Sequence, residues 1–249
     1  MVFCHQGMNT SIWGTFDKSL DIGCRVVKWD EPQGFNFVPK GKYNKRDIPF
    51  DELSLQMKQF CVHWSATYRA SHMFGGLNAR GLSCNFMIDD DVNDQGFATI
   101  YQCLPIMYGG WSQGGVYNNM GPGVEISYMP QAWEGDQYGI LARQKYKVPV
   151  HETGSGQVHG TKLKVHIPTK AQIASLLQLM WGFSELFPNV PAMFPRTVQG
   201  FPMTTTLAEP AKYSGFVTHY HLKRGKIDVA GLDMEMIEHE VQLRKKVGF

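Results

Sequence analysis

From residue 58 onward the apolar residues fall into short runs separated by turn-rich stretches, and later into helical spacing. Gln59 to His63 has the unbroken apolar character of a buried strand. Residues 65–74 suit a short helix or a loop, which Gly75-Gly76 should break. Leu82 to Asp89 reads as a strand, Asp89-Asp90-Asp91 begins a turn, and Phe97 to Cys103 reads as the returning strand. Gly123 to Ser127 follows as another. Residues 129–168 look like an insertion with its own hairpin, in which Tyr146–His151 and Lys162–His166 flank a Thr153-Gly154-Ser155-Gly156 turn. Apolar residues at Ile173, Leu176, Leu177, Met180, Trp181 and Phe183 predict a helix from Thr169, its N-cap, to Leu186, with Phe187-Pro188 ending it. Gly231 to Val247 predicts a second amphipathic helix. Residues 1–57 are turn-rich, punctuated by Pro32-Gln33-Gly34 and Pro39-Lys40-Gly41, with one short strand candidate at Cys24–Val27. They read as an N-terminal extension packed on a main domain of residues 58–249. Strands alternating with helices make this an α/β domain.

Two apolar runs end in a histidine: Phe60-Cys61-Val62-His63 and Phe216-Val217-Thr218-His219. Asp228 follows nine positions after the second, with Lys226 two before it. Two imidazoles and a carboxylate delivered from separate strands form the ligand set of a catalytic zinc site that keeps its fourth position for water. His221 competes with His219, because strand alternation would point both to one face. His219 is preferred, since it closes its run as His63 does, which leaves His221 beside the metal shell or facing substrate. Asp228 could instead cap the last helix.

The composition narrows the alternatives. A chain of 249 residues with 43% apolar and 18% charged positions can bury a real core. A net charge of +2, with Arg244-Lys245-Lys246 the longest basic run, gives no footprint for nucleic acid. No stretch approaches the roughly 20 apolar residues of a membrane span. Five cysteines without a Cys-x-x-Cys pair, three of them (Cys61, Cys84, Cys103) inside apolar runs, suggest reduced, buried thiols. The first residues carry no basic-then-apolar leader, so a cytoplasmic monomer is the expectation. The histidines at 5, 72, 151, 159, 166 and 239 are expected on surfaces.

Several segments, in order, resemble the zinc-dependent N-acetylmuramoyl-L-alanine amidases of the type 2 amidase and peptidoglycan recognition protein family. Val62-His63-Trp64-Ser65-Ala66-Thr67 is similar to the family's first ligand strand. Phe86-Met87-Ile88-Asp89 with Ile100-Tyr101-Gln102 resembles its central hairpin. Asn118-Asn119 and Gly123-Val124-Glu125-Ile126 resemble the segment that ends in an acid/base glutamate. Pro168-Thr169-Lys170-Ala171-Gln172 looks like its Thr-x-x-Gln helix start, and Phe216–His219 with Lys226-Ile227-Asp228 like the segment of the last two ligands and a catalytic lysine. The departures are Ser112 after Trp111, where the family often has histidine, and Cys84, where some members carry a tyrosine.

The resemblance implies a central mixed β-sheet flanked by helices and Zn2+ held by His63, His219 and Asp228. It further implies Glu125 as general base and acid, Lys226 as oxyanion partner, and a peptidoglycan or muropeptide substrate. Glu125, on a strand, should face a cleft, since a buried carboxylate without a partner is costly; an edge-strand position in solvent is the alternative. Lys226 otherwise belongs to an ordinary basic turn. Trp111, Asn118, Asn119 and His221 are the candidate substrate contacts, and Tyr117, Trp133 and Tyr138 could stack on sugar rings. A peptidoglycan-binding module without turnover, and a zinc amidase for another amide, are the competing functions. Within the amidase reading, the enzyme either recycles wall fragments in the cytoplasm or is a phage lysin released by a holin.

Overall fold

The computed structural model describes residues 9–15, 18–37, 43–130 and 136–247. In chain order the strands and helices are β1 (Ser11–Thr15), β2 (Lys18–Asp21), β3 (Val26–Lys28), β4 (Tyr43–Asn44), α1 (Phe50–Gln56), β5 (Gln59–Trp64), α2 (Ala70–Ala79), β6 (Phe86–Ile88), β7 (Ile100–Gln102), β8 (Gly109–Gly110), β9 (Gly123–Ile126), α3 (Asp136–Tyr146), β10 (Thr153–Val158), β11 (Thr161–His166), α4 (Lys170–Leu186), β12 (Gly215–Thr218), α5 (His219–Leu222) and α6 (Met234–Val247). Among these residues no helix is long and apolar enough to cross a membrane.

The central sheet is mixed, with strand order β12-β5-β9-β6-β7-β3. β12, β5, β9 and β6 run parallel; β7 is antiparallel to β6, and β3 is parallel to β7. The residues before 57 are therefore not only an extension packed on the domain: Val26–Lys28 is an edge strand of the sheet itself. Side-chain alternation divides the sheet into two faces. Phe60, Val62, Val124, Ile126, Phe86 and Ile88 face α4, where Phe60 and Phe183 pack ring to ring at 5.1 Å. Cys61, His63, Glu125, Met87 and Tyr101 share the other face by register. There Phe35 covers Tyr101 and stacks on Phe74 of α2. Thus α4 covers one face, while α2, the segment before β9 (Trp111, Ser112) and the loop after α5 (Lys226, Asp228) line the other, which holds the polar residues.

The start of α4 shows how a local signal ties to the sheet. The Thr169 Oγ1 accepts from the Gln172 amide at 3.2 Å, and the Thr169 amide donates back to Gln172 Oε1 at 3.0 Å. This reciprocal cap satisfies two orphan donors of the helix. Gln172 Nε2 then donates to Ser127 O (2.7 Å) and Asp89 O (3.1 Å), just past β9 and β6. One buried side chain fixes the helix against two strand ends.

Three predicted elements differ from the sequence reading. α2 runs straight through Gly75-Gly76, where a side chain would meet open space and nothing forces the chain to turn. Within residues 129–168 the hairpin strands are Thr153–Val158 and Thr161–His166, so Tyr146–His151 is not a hairpin strand, the expected Thr153–Gly156 turn is strand and the real turn is at His159-Gly160. Both turn residues have positive φ (+52° and +80°), as a tight two-residue hairpin turn requires. Finally, His219 begins one turn of helix rather than continuing the strand.

Candidate metal centre

His63 lies near the C-terminal end of β5, a strand buried along its whole length. Its register partner on β9 is Glu125, so the two side chains are neighbours on one face of adjacent parallel strands. Residue 218 of β12 pairs with 62 of β5, which brings His219, one residue further, beside His63. Carboxyl ends of parallel strands are where open α/β sheets hold ligands. The loop after α5 returns to this end of the sheet and supplies Lys226 and Asp228.

The three donors converge tightly. His63 Nδ1 is 3.0 Å from His219 Nδ1 and 3.3 Å from Asp228 Oδ2, and His219 Nδ1 is 2.9 Å from the same oxygen. Among the described residues these form a cluster able to hold a metal ion. The spacing fits: ligands at about 2.0 Å from a tetrahedral zinc sit about 3.3 Å from one another. Protons satisfy only part of the triangle: one Nδ1–H can donate to the other imidazole, but the accepting nitrogen then faces the Asp228 oxygen lone pair to lone pair, and with both nitrogens protonated two hydrogens crowd across 3.0 Å. The second His63 nitrogen, Nε2, is buried without a hydrogen-bond partner among the described residues, whereas a metal-bound histidine usually has one there.

The electrostatics set His63 and Asp228 in the form a metal needs. Burial, then the neighbouring His219, lowers His63 to about 4, against the pull of Asp228. Burial alone would raise Asp228, but hydrogen bonds from His219 and His63 outweigh it and hold the carboxyl well below its ordinary range. Glu125 goes the opposite way: burial, then the charge of Asp228, pushes it well above the usual value, with Lys226 opposing. Two carboxyls on one wall are thus driven apart, one held ionised and the other made readier to hold a proton, a pattern found in acid/base pairs.

His63, Glu125, His219, Lys226 and Asp228 line a cleft of ≈ 330 Å³, roofed partly by Trp111 and Ser112. It continues past Trp111 into a second compartment of ≈ 360 Å³, bounded by the Gln113–Gly115 turn and Lys223. A larger cavity of ≈ 520 Å³ between the Val150–Glu152 segment, α4 and α6 is mostly apolar and contains none of these groups.

No family model matches the chain, and no curated protein matches it. Among solved structures it is similar to a complex of the N-acetylmuramyl-L-alanine amidase AmiD from E. coli with the substrate anhydro-N-acetylmuramic acid-L-Ala-D-gamma-Glu-L-Lys. The two are 14% identical with a TM-score of 0.38, over 74% of this chain and 55% of that one. The match thus spans about half the length of AmiD.

The remaining candidates separate by geometry. Trp111 and Asn118 border the cleft; the Asn118 Oδ1 accepts from the Gln113 and Gly114 amides at 3.0 and 2.8 Å and shapes the turn. Asn119 does not face the cleft: its side chain bonds Asn44 and Arg46. His221 is buried and does not line the cleft either. Its Nδ1 accepts from the Thr218 amide (3.0 Å), its Nε2 donates to Met203 O (2.7 Å), and burial lowers it to about 4. Asp228 does not cap α6; Asp233 does, accepting from the Met236 amide. Glu125 is on an interior strand, not an edge. Cys61 and Cys84 are fully buried with thiols pushed up by burial, so neither is available as a nucleophile. His5 and Trp133, like Cys4 and Pro39-Lys40-Gly41, lie outside the described residues.

Sequence reasoning also misplaced two histidines and passed over two cations. His151 and His166 are buried, not on the surface; His151 Nε2 pairs with Asp90 Oδ2 at 2.9 Å. Arg80, just past α2, and Lys223, in the basic turn beside Lys226, both line the cleft system. No local pattern marks Arg80, while Lys223 was one of several equivalent basic residues.

Proposed function

We propose that the protein is a zinc-dependent amidase that cleaves the bond between N-acetylmuramic acid and L-alanine in peptidoglycan or its fragments. The observation that carries the reading is the convergence of His63, His219 and Asp228 donor atoms within 3.3 Å of one another, beside Glu125 in an open cleft. The ordered motifs from Val62 to Asp228 support the substrate class. His63, His219 and Asp228 would hold the ion, which when bound acidifies water and polarises a carbonyl oxygen.

The chain's own residues would do the rest. Glu125, with its raised proton affinity, takes a proton from the attacking water and returns one to the departing amide nitrogen. Lys226 places an ammonium on the same wall, where negative charge develops on the carbonyl oxygen. The compartment beyond Trp111 gives room for the flanking sugar or peptide, with Lys223 and Arg80 as cationic borders for carboxylates.

The test is to measure zinc stoichiometry and peptide release together, with intact sacculi and soluble anhydro-muropeptides assayed in parallel. Release that is lost in His63→Ala and Glu125→Ala variants is expected. Stoichiometric zinc with no release on either substrate over a range of pH would overturn the hydrolase reading and leave a binding module. In that case the Glu125→Ala variant would bind cell walls as the parent does.

A further inference from the structure

Lys226 and Asp228 both come from the loop that joins α5 to α6. Its internal hydrogen bonds are short-range turns: Lys226 N to Lys223 O, Ala230 N to Ile227 O and Leu232 N to Val229 O. Such turns set local shape but do not fix the loop against the sheet. The Asp228 bonds to His63 and His219 and the buried Val229 tie it there, and the β10–β11 hairpin holds its backbone on both sides of Asp228.

After Asp228, the contact is backbone on backbone. A Cβ on Gly156 would lie 2.3 Å from Gly231 N and 2.8 Å from Ala230 C, so only glycine allows this approach. Gly156 has no left-handed φ, which leaves proximity as the reason for the residue. Gly231 is closed in from the other strand, where its own Cβ would meet Val165 Cγ2 at 2.7 Å. Before Asp228, the contact is a hydrogen bond from the hairpin tip: His159 Nε2 donates to Lys226 O at 3.2 Å. His159 is itself held, since its amide donates to Thr204 O at 2.9 Å and its ring meets Tyr220 edge-on. It occupies a left-handed turn position, where the backbone ordinarily favours Gly, Asn or Asp.

We infer that the β10–β11 hairpin is the positioning element of the metal loop, with Gly156 and His159 holding Asp228 and Lys226 at the cleft. This rests on the metal reading above for its affinity readout, but the clamp on the loop exists without the ion. The insertion then serves the centre from behind, through two contacts that flank the carboxylate ligand.

The same hairpin supplies a matched control. A Cβ at Gly154 would meet only the Ile167 side chain, at 2.6 Å from its flexible Cδ1, and nothing in the metal loop. Gly156→Ala, Gly154→Ala and His159→Ala are made in the full chain. Zinc affinity is read by chelator competition, and hydrogen exchange at the 226–232 amides is read in the metal-free protein. Gly156→Ala is expected to weaken zinc about 10- to 100-fold, the range for residues that orient a ligand, and to speed loop exchange. His159→Ala should shift both in the same direction at unchanged melting temperature, while Gly154→Ala stays at the parent values. Parent-like affinity and exchange in both Gly156→Ala and His159→Ala, or an equal loss in Gly154→Ala, overturns the proposal. Should Gly156→Ala not fold, His159→Ala decides. If the parent binds no zinc, the metal reading fails on its own, and the exchange data still judge the hairpin.

Discussion

Glu125→Gln isolates the energetic cost of the proposed acid/base group. The carboxyl is 8% exposed, flanked in register by His63 and Met87, and raised by burial and by Asp228. In the unfolded chain a glutamate titrates near 4.3. Between that pH and its folded value, the native state retains a proton that the unfolded state has released, so stability falls as pH rises. The slope is at most about 1.4 kcal/mol per pH unit, or up to about 2.7 kcal/mol between pH 5 and 7. Glutamine keeps the shape and removes the titration. Any change in hydrogen bonding it introduces is a constant offset, whereas the charge effect is a slope. Urea denaturation of the metal-free parent and variant at pH 5, 6, 7 and 8 should therefore show the variant gaining relative stability with pH. Activity should fall by about 10²–10⁴-fold, the usual worth of a general acid/base. A stability difference that stays flat from pH 5 to 8 would refute the assignment of a raised, buried carboxyl.

Other consequences follow from groups outside the centre. His151 Nδ1 donates to Ile167 O at 2.8 Å, so the 2.9 Å contact of Nε2 with Asp90 requires its own shared proton; His151→Ala strands a buried carboxyl and should cost about 3–5 kcal/mol in denaturant melts. Thr169→Ala removes one half of the α4 capping box and should cost about 1 kcal/mol by the same assay, without changing zinc affinity. Cys61 and Cys84 should resist a thiol reagent in the native protein and react on unfolding, with the modified sites mapped by mass spectrometry; fast native labelling of either would contradict their burial.

What was legible in the chain depended on whether a residue's neighbours in sequence decide its environment. β5 and β12 were visible because strands buried on both faces read as unbroken apolar runs, and their closing histidines stand out against that background. The Thr169–Gln172 cap was visible because both partners lie within one turn. His219 and His221 show where the reasoning changes. Strand alternation placed them on one face, but the chain turns helical at His219, and two helical steps of about 100° send the side chains to nearly opposite sides. One then joins His63, and the other locks onto Thr218 and Met203. Val26–Lys28 was hard to assign as sheet because its partner, β7, is remote in sequence and the strand is only three residues long. Gly154 and Gly156 were misread as a turn for a related reason. Glycine signals either a special φ or a close approach, and sequence alone does not separate the two. In Gly156 the cause is Gly231, contributed by a loop from the far end of the chain. The donors were therefore readable from local runs, while the hairpin that braces one of them became visible only when distant backbones were brought together. In this chain the local runs mark the candidate donors, whereas the hairpin contact on their loop shows only in a strand glycine of ordinary φ, Gly156.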